Sequence, residues 1–190
     1  HSSHRRQRQM CIRDRREAGW RVREGVGRTG VVAELGPGQG PTVGLRVDMD
    51  ALPIEERTKL PYSSVRQGVM HACGHDLHST VGVGVARLLA AEASLPFGIR
   101  LLFQPAEEIA QGARWMREAG AADGLAGLFG VHVFPSLPVG NIGVRCGSLT
   151  AAAGELEIEV IGEGGHGARP HQSVDAIWIA SVSYTHLTLP

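Results

Sequence analysis

Long hydrophobic runs are missing from these 190 residues. No apolar stretch approaches the ~18 residues that suggest a membrane span, and no charged-then-apolar leader opens the chain, so no membrane partner is expected. Cysteine is scarce. Three cysteines, an odd number at irregular spacing, do not make a disulfide framework and point to a reducing compartment, taken here as cytoplasmic. There is no Gly-x-Ser-x-Gly elbow, which argues against a serine hydrolase. The glycine-rich Gly162–Gly167 lacks the Lys-Ser/Thr ending of a phosphate-binding loop, which argues against a nucleotide cofactor. No internal repeat is present.

Net charge is also absent, but the zero hides an asymmetry. The first sixteen residues hold six arginines and one aspartate, and the remainder carries 13 basic and 18 acidic residues. A basic arm of this kind can bind nucleic acid. Another account is preferred. His1–Arg15 resembles translated sequencing-adaptor read-through, as does Ser183–Pro190 at the other end, and both break the pattern of their neighbours. Residues 1–15 and 182–190 are therefore set aside as non-native, no nucleic-acid partner is expected, and the middle is read as a fragment of a longer protein.

What is present begins with Met70-His71-Ala72-Cys73-Gly74-His75-Asp76-Leu77-His78, with three histidines, a cysteine and an aspartate in nine residues. Thiolate, imidazole and carboxylate are the side chains that bind first-row transition metals. Cys73 and His75 flank a glycine, and on a helix they would diverge. A bend at Gly74 lets them converge. The bland alternative is a polar loop with a buried thiol.

Three other segments offer ligands. Asp48-Met49-Asp50 follows the apolar run Val43–Val47. Glu107-Glu108 follows Ile99–Pro105. His132 lies within Leu128–Phe134. Each run reads as a short buried strand, and in open α/β sheets ligand sites gather at the carboxyl ends of strands. Taken singly, Glu107-Glu108 fits a solvated helix start, His132 a satisfied core histidine, and His166 a surface turn.

The predicted organisation is α/β, a sheet with flanking helices followed by the start of a smaller α+β domain. Glu17–Glu24 is read as the end of a helix leading into a strand. Gly30–Leu35 and Thr42–Val47 are predicted strands, a hairpin or neighbours across the turn-rich 36–41 segment. Ala51–Gly68 reads as a long functional loop. A helix is expected from Asp76, as its cap, to about Ala93, with Val81, Val85, Leu88 and Leu89 as its apolar face and Gly82 and Gly84 packed close against a sheet. Ala110–Ala119 is a second helix, stopped by Gly120. Val139–Cys146 and the strictly alternating Gly154–Gly162 are further strands, and Ser173–Ile179 begins a helix. A domain boundary is placed near Ala152, giving 16–151 and 152–181.

Five segments in this order resemble the M20 metallopeptidases, in particular their amidohydrolase branch: Arg46–Pro53, Met70–His78, Phe103–Glu108, Gly130–His132 and Gly164–His171. That branch includes hippurate hydrolases, N-acyl-amino-acid deacylases and auxin-conjugate hydrolases. The resemblance implies a zinc-peptidase-like catalytic domain with two divalent ions, Mn²⁺ or Zn²⁺, with Ni²⁺ or Co²⁺ also suited. It implies Cys73, His75, Glu108 and His132 as ligands, Glu107 as general base, Asp50 as the carboxylate that orients a ligand, and His166 as the lid-domain histidine that binds the scissile carbonyl. It further implies a last histidine ligand beyond this chain, a small N-acyl amino acid as substrate, and homodimer formation through the lid domain at full length. The expected activity is metal-dependent hydrolysis of the amide bond. The alternative is a catalytically incomplete fragment that binds metal without turnover.

Overall fold

The computed structural model describes residues 19–92, 94–151 and 156–187. The chain groups into two units, one ending at Val139 and one beginning at Gly140.

The first unit is built on a five-stranded mixed sheet. Its strands are β1 (Arg21–Val26), β2 (Gly30–Leu35), β3 (Thr42–Asp48), β4 (Gly98–Gln104) and β5 (Leu125–Gly130), in the order β1-β2-β4-β3-β5. Among the described residues of this unit the helices are α1 (His75–Ala90) and α2 (Gly112–Glu118). β1, β2 and β4 pair antiparallel, while β3 runs parallel to both β4 and β5.

Period-two alternation assigns the two faces of the sheet. Val31 and Ala33 of β2, Val47 of β3 and Ile99, Leu101 and Phe103 of β4 share one core with Trp20 and Ala86 of α1. The intervening Val32 and Leu102 join Val26 and Met116 of α2 in a second core. Sheet and helices thus form layers, with α1 and α2 packing against separate clusters. Trp20 ties its edge of the sheet to α1, its indole N–H donating to the Ala86 carbonyl at 3.2 Å.

Several expectations change. β2 and β3 are not neighbours, because β4 lies between them. The 36–41 connection crosses the start of β4, where Gly98 N–H donates to Pro41 O at 2.9 Å. A side chain at Gly36 (φ +112°) would come within 2.8 Å of Phe97 O, so the crossing requires glycine. The connection from β3 to β4 contains α1, the helical crossover that a parallel pair needs.

α1 buries His75, His78, Ser79, Gly82 and Ala86, while Val81 and Leu88 face solvent. Of the predicted apolar face Val85 and Leu89 do pack against the core, while polar residues that serve the site occupy the rest of the inner face. The residue before the helix is Gly74, not Asp76, and Asp76 lies in the first turn. Close packing accounts for Gly82, where a Cβ would stand 2.9 Å from Val47 Cγ2, but Gly84 has open space around it. β5 ends at Gly130, so His132 follows the strand, and Leu128 and Phe129 are exposed on this edge strand.

In the second unit no described residue is buried. Residues 139–146 and 156–162 form no strand. Strands need partners for their backbone groups, and among the described residues of this unit pairing is confined to the isolated bridge between Glu163 and Val174. A 3₁₀ turn (Pro170–Gln172) precedes α3 (Ala176–Leu187). Asp175 Oδ1 caps α3 by accepting from the amides of Ile177 and Trp178 at 2.9 and 3.0 Å. Among the described residues no helix is long and apolar enough to cross a membrane.

Candidate metal centre

Because β3, β4 and β5 are mutually parallel through β3, their carboxyl ends lie along one edge. Asp48 and Asp50, Glu107 and Glu108, and His132 leave the sheet there, as the strand-end rule anticipates. The start of α1 brings Cys73, His75 and His78 to the same edge.

His75 is the centre of the arrangement. Its ring is almost completely buried. Nδ1 donates to Asp50, with the backbone O and Oδ1 both at 3.1 Å. Both partners are acceptors, so Nδ1 carries a proton, and in the neutral ring Nε2 presents a lone pair. Nε2 has no hydrogen-bond partner. It faces Asp48 Oδ2, Glu107 Oε2 and Glu108 Oε1, each at 3.7 Å. A lone pair ringed by three carboxylates is a repulsive arrangement that a cation relieves.

His132 follows the same pattern. Its Nδ1 donates to the Val133 carbonyl at 2.7 Å, which leaves Nε2 as an acceptor for the Cys73 thiol, whose Sγ stands 3.6 Å away. A thiolate and an imidazole that share a tetrahedral zinc stand on the order of 3.5 Å apart, given metal–ligand bonds near 2.3 and 2.0 Å. The ligand atoms of Cys73, His75 and Glu108 lie within 4.8 Å of one another. An imidazole anchored through one nitrogen to a carboxylate or carbonyl, with the other free, is the usual state of a metal-binding histidine.

Asp50 anchors two of these residues at once. Oδ1 accepts from His75, and Oδ2 accepts from the Glu108 amide at 3.0 Å. Glu107 and Glu108 do not point apart as extended backbone would have them. Residues 106–111 form a tight turn, with Ala106 and Ala110 at φ 51° and 53°. Gln111 and Gly112 both donate to Ala106 O, and the turn carries both carboxylates to His75.

Burial, and then the negative charge of Glu108, raise the Cys73 thiol from 9.0 to about 11. Without a cation the thiol is protonated at neutral pH. A metal inverts that preference by binding the thiolate.

Three residues of this edge have no role of their own in the sequence reading, although Asp48 lies in a segment expected to offer ligands. Asp48, fully buried, accepts from His78 Nδ1 at 2.6 Å through Oδ1 and pairs with Arg46 Nη1 at 2.7 Å through Oδ2. Arg46 Nη2 also lies 3.9 Å from Glu107 Oε1. The sequence signal for His78 was its i+3 position from His75, which puts both on one helix face. A buried carboxylate ending an apolar strand was the signal for Asp48. Asp48, His75 and His78 are close enough to suggest a metal cluster, yet His78 has no lone pair free, since its Nε2 accepts from the Val133 amide at 2.9 Å.

His166 belongs to the second unit. Its Nδ1 accepts from the Ala168 amide at 3.2 Å, so in the neutral ring Nε2 carries the proton and is a donor.

The first unit is thus an α/β domain whose strand ends gather a thiol, two imidazole nitrogens and paired carboxylates, the donor set of a transition-metal centre. Comparison with known proteins agrees with that class. Residues 44–186 match peptidase family M20/M25/M40, and the chain belongs to this family. It is 56% identical over 172 residues to a probable hydrolase, sll0100, of Synechocystis sp., covering 89% of this chain and 44% of that protein. It is 49% identical over 152 residues to the N-acetylcysteine deacetylase of Bacillus subtilis, covering 79% and 40%. Among solved structures it resembles the Bacillus subtilis YXEP protein, a dinuclear metal-binding peptidase of the M20 family, with a TM-score of 0.68 at 45% identity over 72% of this chain and 39% of that one. The chain therefore spans less than half the length of the relatives it matches.

Proposed function

We propose that this chain carries the metal-binding core of an amidohydrolase that cleaves N-acyl amino acids. The observation that supports this most directly is the pair of imidazoles, His75 and His132, each anchored through Nδ1, whose Nε2 atoms face two glutamates and the Cys73 thiol. Cys73, His75, Glu108 and His132 would hold divalent cations, a pair of them by analogy with the dinuclear Bacillus protein. The mixed S/N/O set suits Zn²⁺, Mn²⁺, Ni²⁺ or Co²⁺. A thiol ligand works only when reduced, which fits a reducing compartment such as the cytoplasm.

When bound, such cations acidify a water and polarise the carbonyl it attacks. Glu107, half-exposed beside the cluster, takes the water's proton as general base and returns it to the leaving amine nitrogen. The new C–O bond forms first, with charge moving onto the carbonyl oxygen, and the C–N bond breaks as that charge returns, giving a carboxylic acid and an amine. Arg46 stands by Glu107 and Asp48 and holds the base over the cluster. His166, with Nε2–H as donor, is the proposed partner of the developing oxyanion. Residues 16–151 would form the catalytic domain and 152–181 the beginning of the lid through which the full-length enzyme pairs. The acylated amino acid follows the deacetylase relative.

The test is hydrolysis of N-acetyl and N-benzoyl amino acids with Mn²⁺ or Zn²⁺. It uses the chain as it stands and the same segment grafted into its Synechocystis relative in place of the matching residues. Turnover in the graft, reduced roughly 10²–10⁴-fold by Glu107→Gln, is the expected result. Undiminished activity in that variant would remove Glu107 as the base. A second reading, a metal-binding portion with no turnover of its own, predicts that the chain alone binds cation and hydrolyses nothing.

A further inference from the structure

His75 and His78 stand one turn apart on α1, both buried, each donating through Nδ1 to a carboxylate. Their other nitrogens differ. His75 Nε2 is bare, whereas His78 Nε2 accepts the Val133 amide at 2.9 Å. That amide belongs to the peptide joining His132 to Val133. Holding it restricts the backbone rotation that aims the His132 ring.

The hold is reinforced on three sides. The His78 ring meets the His132 ring edge-on, with centroids 4.7 Å apart. The Val133 side chain packs on Gly74, where a Cβ would stand 2.5 Å from Val133 Cγ2, so Val133 touches the glycine between Cys73 and His75. Asp48 fixes the His78 ring from behind, and is itself held by Arg46 and by the Ser79 hydroxyl, which donates to the Asp48 carbonyl at 2.8 Å. His132 needs such a device because it lies past the end of β5, in an irregular and largely exposed segment.

We propose that His78, clamped between Asp48 and the Val133 amide, is a positioning residue that aims His132 Nε2 at the Cys73 thiol. It binds no metal itself. It converts the rigidity of β3 and α1 into the orientation of a ligand supplied by a loop. This rests on the reading of Cys73 and His132 as metal ligands.

The two nitrogens of His78 can be removed separately. Asn at this position keeps a donor near Nδ1 for Asp48 and lacks the acceptor for Val133. Gln reaches the Nε2 position with an acceptor and lacks the donor. Co²⁺ titration of the chain, followed by the thiolate-to-cobalt absorption band, reads both. The expected result is affinity weakened about 10–100-fold in His78→Asn, the scale for a lost supporting partner, and less than about threefold in His78→Gln.

Equal losses in the two variants, or no loss in Asn, overturn the proposal while leaving the metal reading intact. A wild-type chain that shows no thiolate band overturns the metal reading, and the role of His78 with it. Should both variants unfold, imidazole ¹⁵N shifts of the wild-type protein decide. A His78 ring protonated on Nδ1 with Nε2 accepting supports the clamp, and one protonated on Nε2 overturns it.

Discussion

The two units put similar sequence patterns to different ends. β4, with Ile99, Leu101 and Phe103 at alternate positions, lies between β2 and β3 and buries that face completely or nearly so. Residues 156–160 alternate as regularly, yet Leu156 and Ile158 are exposed, Val160 is only half-buried, and they form no strand. Alternation offers a face for burial. Only a paired edge and a covering layer turn that face into structure. The same holds for the histidines. His75 and His78, sunk in α1 against β3, have their rings fixed by carboxylates, whereas His166 is exposed and accepts one neighbouring amide.

The sharpest test of this contrast is truncation in each unit. Phe103 is fully buried at the centre of the sheet, and Phe103→Ala should cost about 3–5 kcal/mol. Ile158→Ala, at an exposed position, should stay within about 0.5 kcal/mol. Urea unfolding of the two variants reads both. A loss at Ile158 comparable to that at Phe103 would mean that the second unit has a core of its own.

Affinity against pH separates the strand-end cluster from a merely polar loop. With the Cys73 thiol raised to about 11 by burial and by Glu108, a cation must displace its proton throughout the neutral range. Apparent Co²⁺ affinity should rise about tenfold per unit as pH increases, and level off only above the thiol's raised value. From pH 7 to 9 that is about a hundredfold, and Cys73→Ser should flatten it. A flat profile in the wild-type chain would remove the thiol from the site.

Two glycines of α1 refine the picture. Gly82 faces Val47 and Phe103 at about 3 Å, whereas Gly84 has no atom nearby. Gly82→Ala should destabilise by about 1–3 kcal/mol through overpacking. Gly84→Ala should stabilise by about 0.5–1 kcal/mol through helix propensity alone. Thermal melts of both variants give the two signs. Stabilisation by both would show that α1 does not press on the sheet at Gly82.

The sequence announced the parts of this site more clearly than their assembly. The strands Gly30–Leu35 and Thr42–Val47, the metal-type cluster at Met70–His78 and the carboxylates beyond the strand ends could all be read locally, because hydrophobic runs and donor residues are local signals. The placement of β4 between β2 and β3 could not, since strand order depends on pairings across some sixty residues. The inner face of α1 was legible only in part, at Val85 and Leu89, for a related reason. Its buried positions include His75, His78 and Ser79, polar residues whose burial depends on hydrogen bonds to Asp48 and Asp50, both distant in sequence. The exposure of β5 was hidden too, because an apolar run looks the same at an edge as at a centre.

The smallest expected effect concerns the turn that gathers the two glutamates. Ala106 sits at φ 51°, a left-handed conformation that costs an L-residue about 1–2 kcal/mol. Ala106 O receives the amides of Gln111 and Gly112, and a Cβ at Gly112 would overlap Pro105 O, so the turn has no room to relax. Ala106→Gly should therefore stabilise the fold by about 0.5–1 kcal/mol, once the greater freedom of glycine in the unfolded chain is set against the relieved strain. The same change loosens the hinge that brings Glu107 and Glu108 to His75, so cation affinity should fall slightly, by no more than about threefold, while stability rises. Measuring melting and Co²⁺ binding on the one variant separates the two effects. Were affinity and stability to rise together, the strain at Ala106 would be incidental to the site, and the convergence of the two carboxylates would be owed to the Asp50–Glu108 hydrogen bond alone.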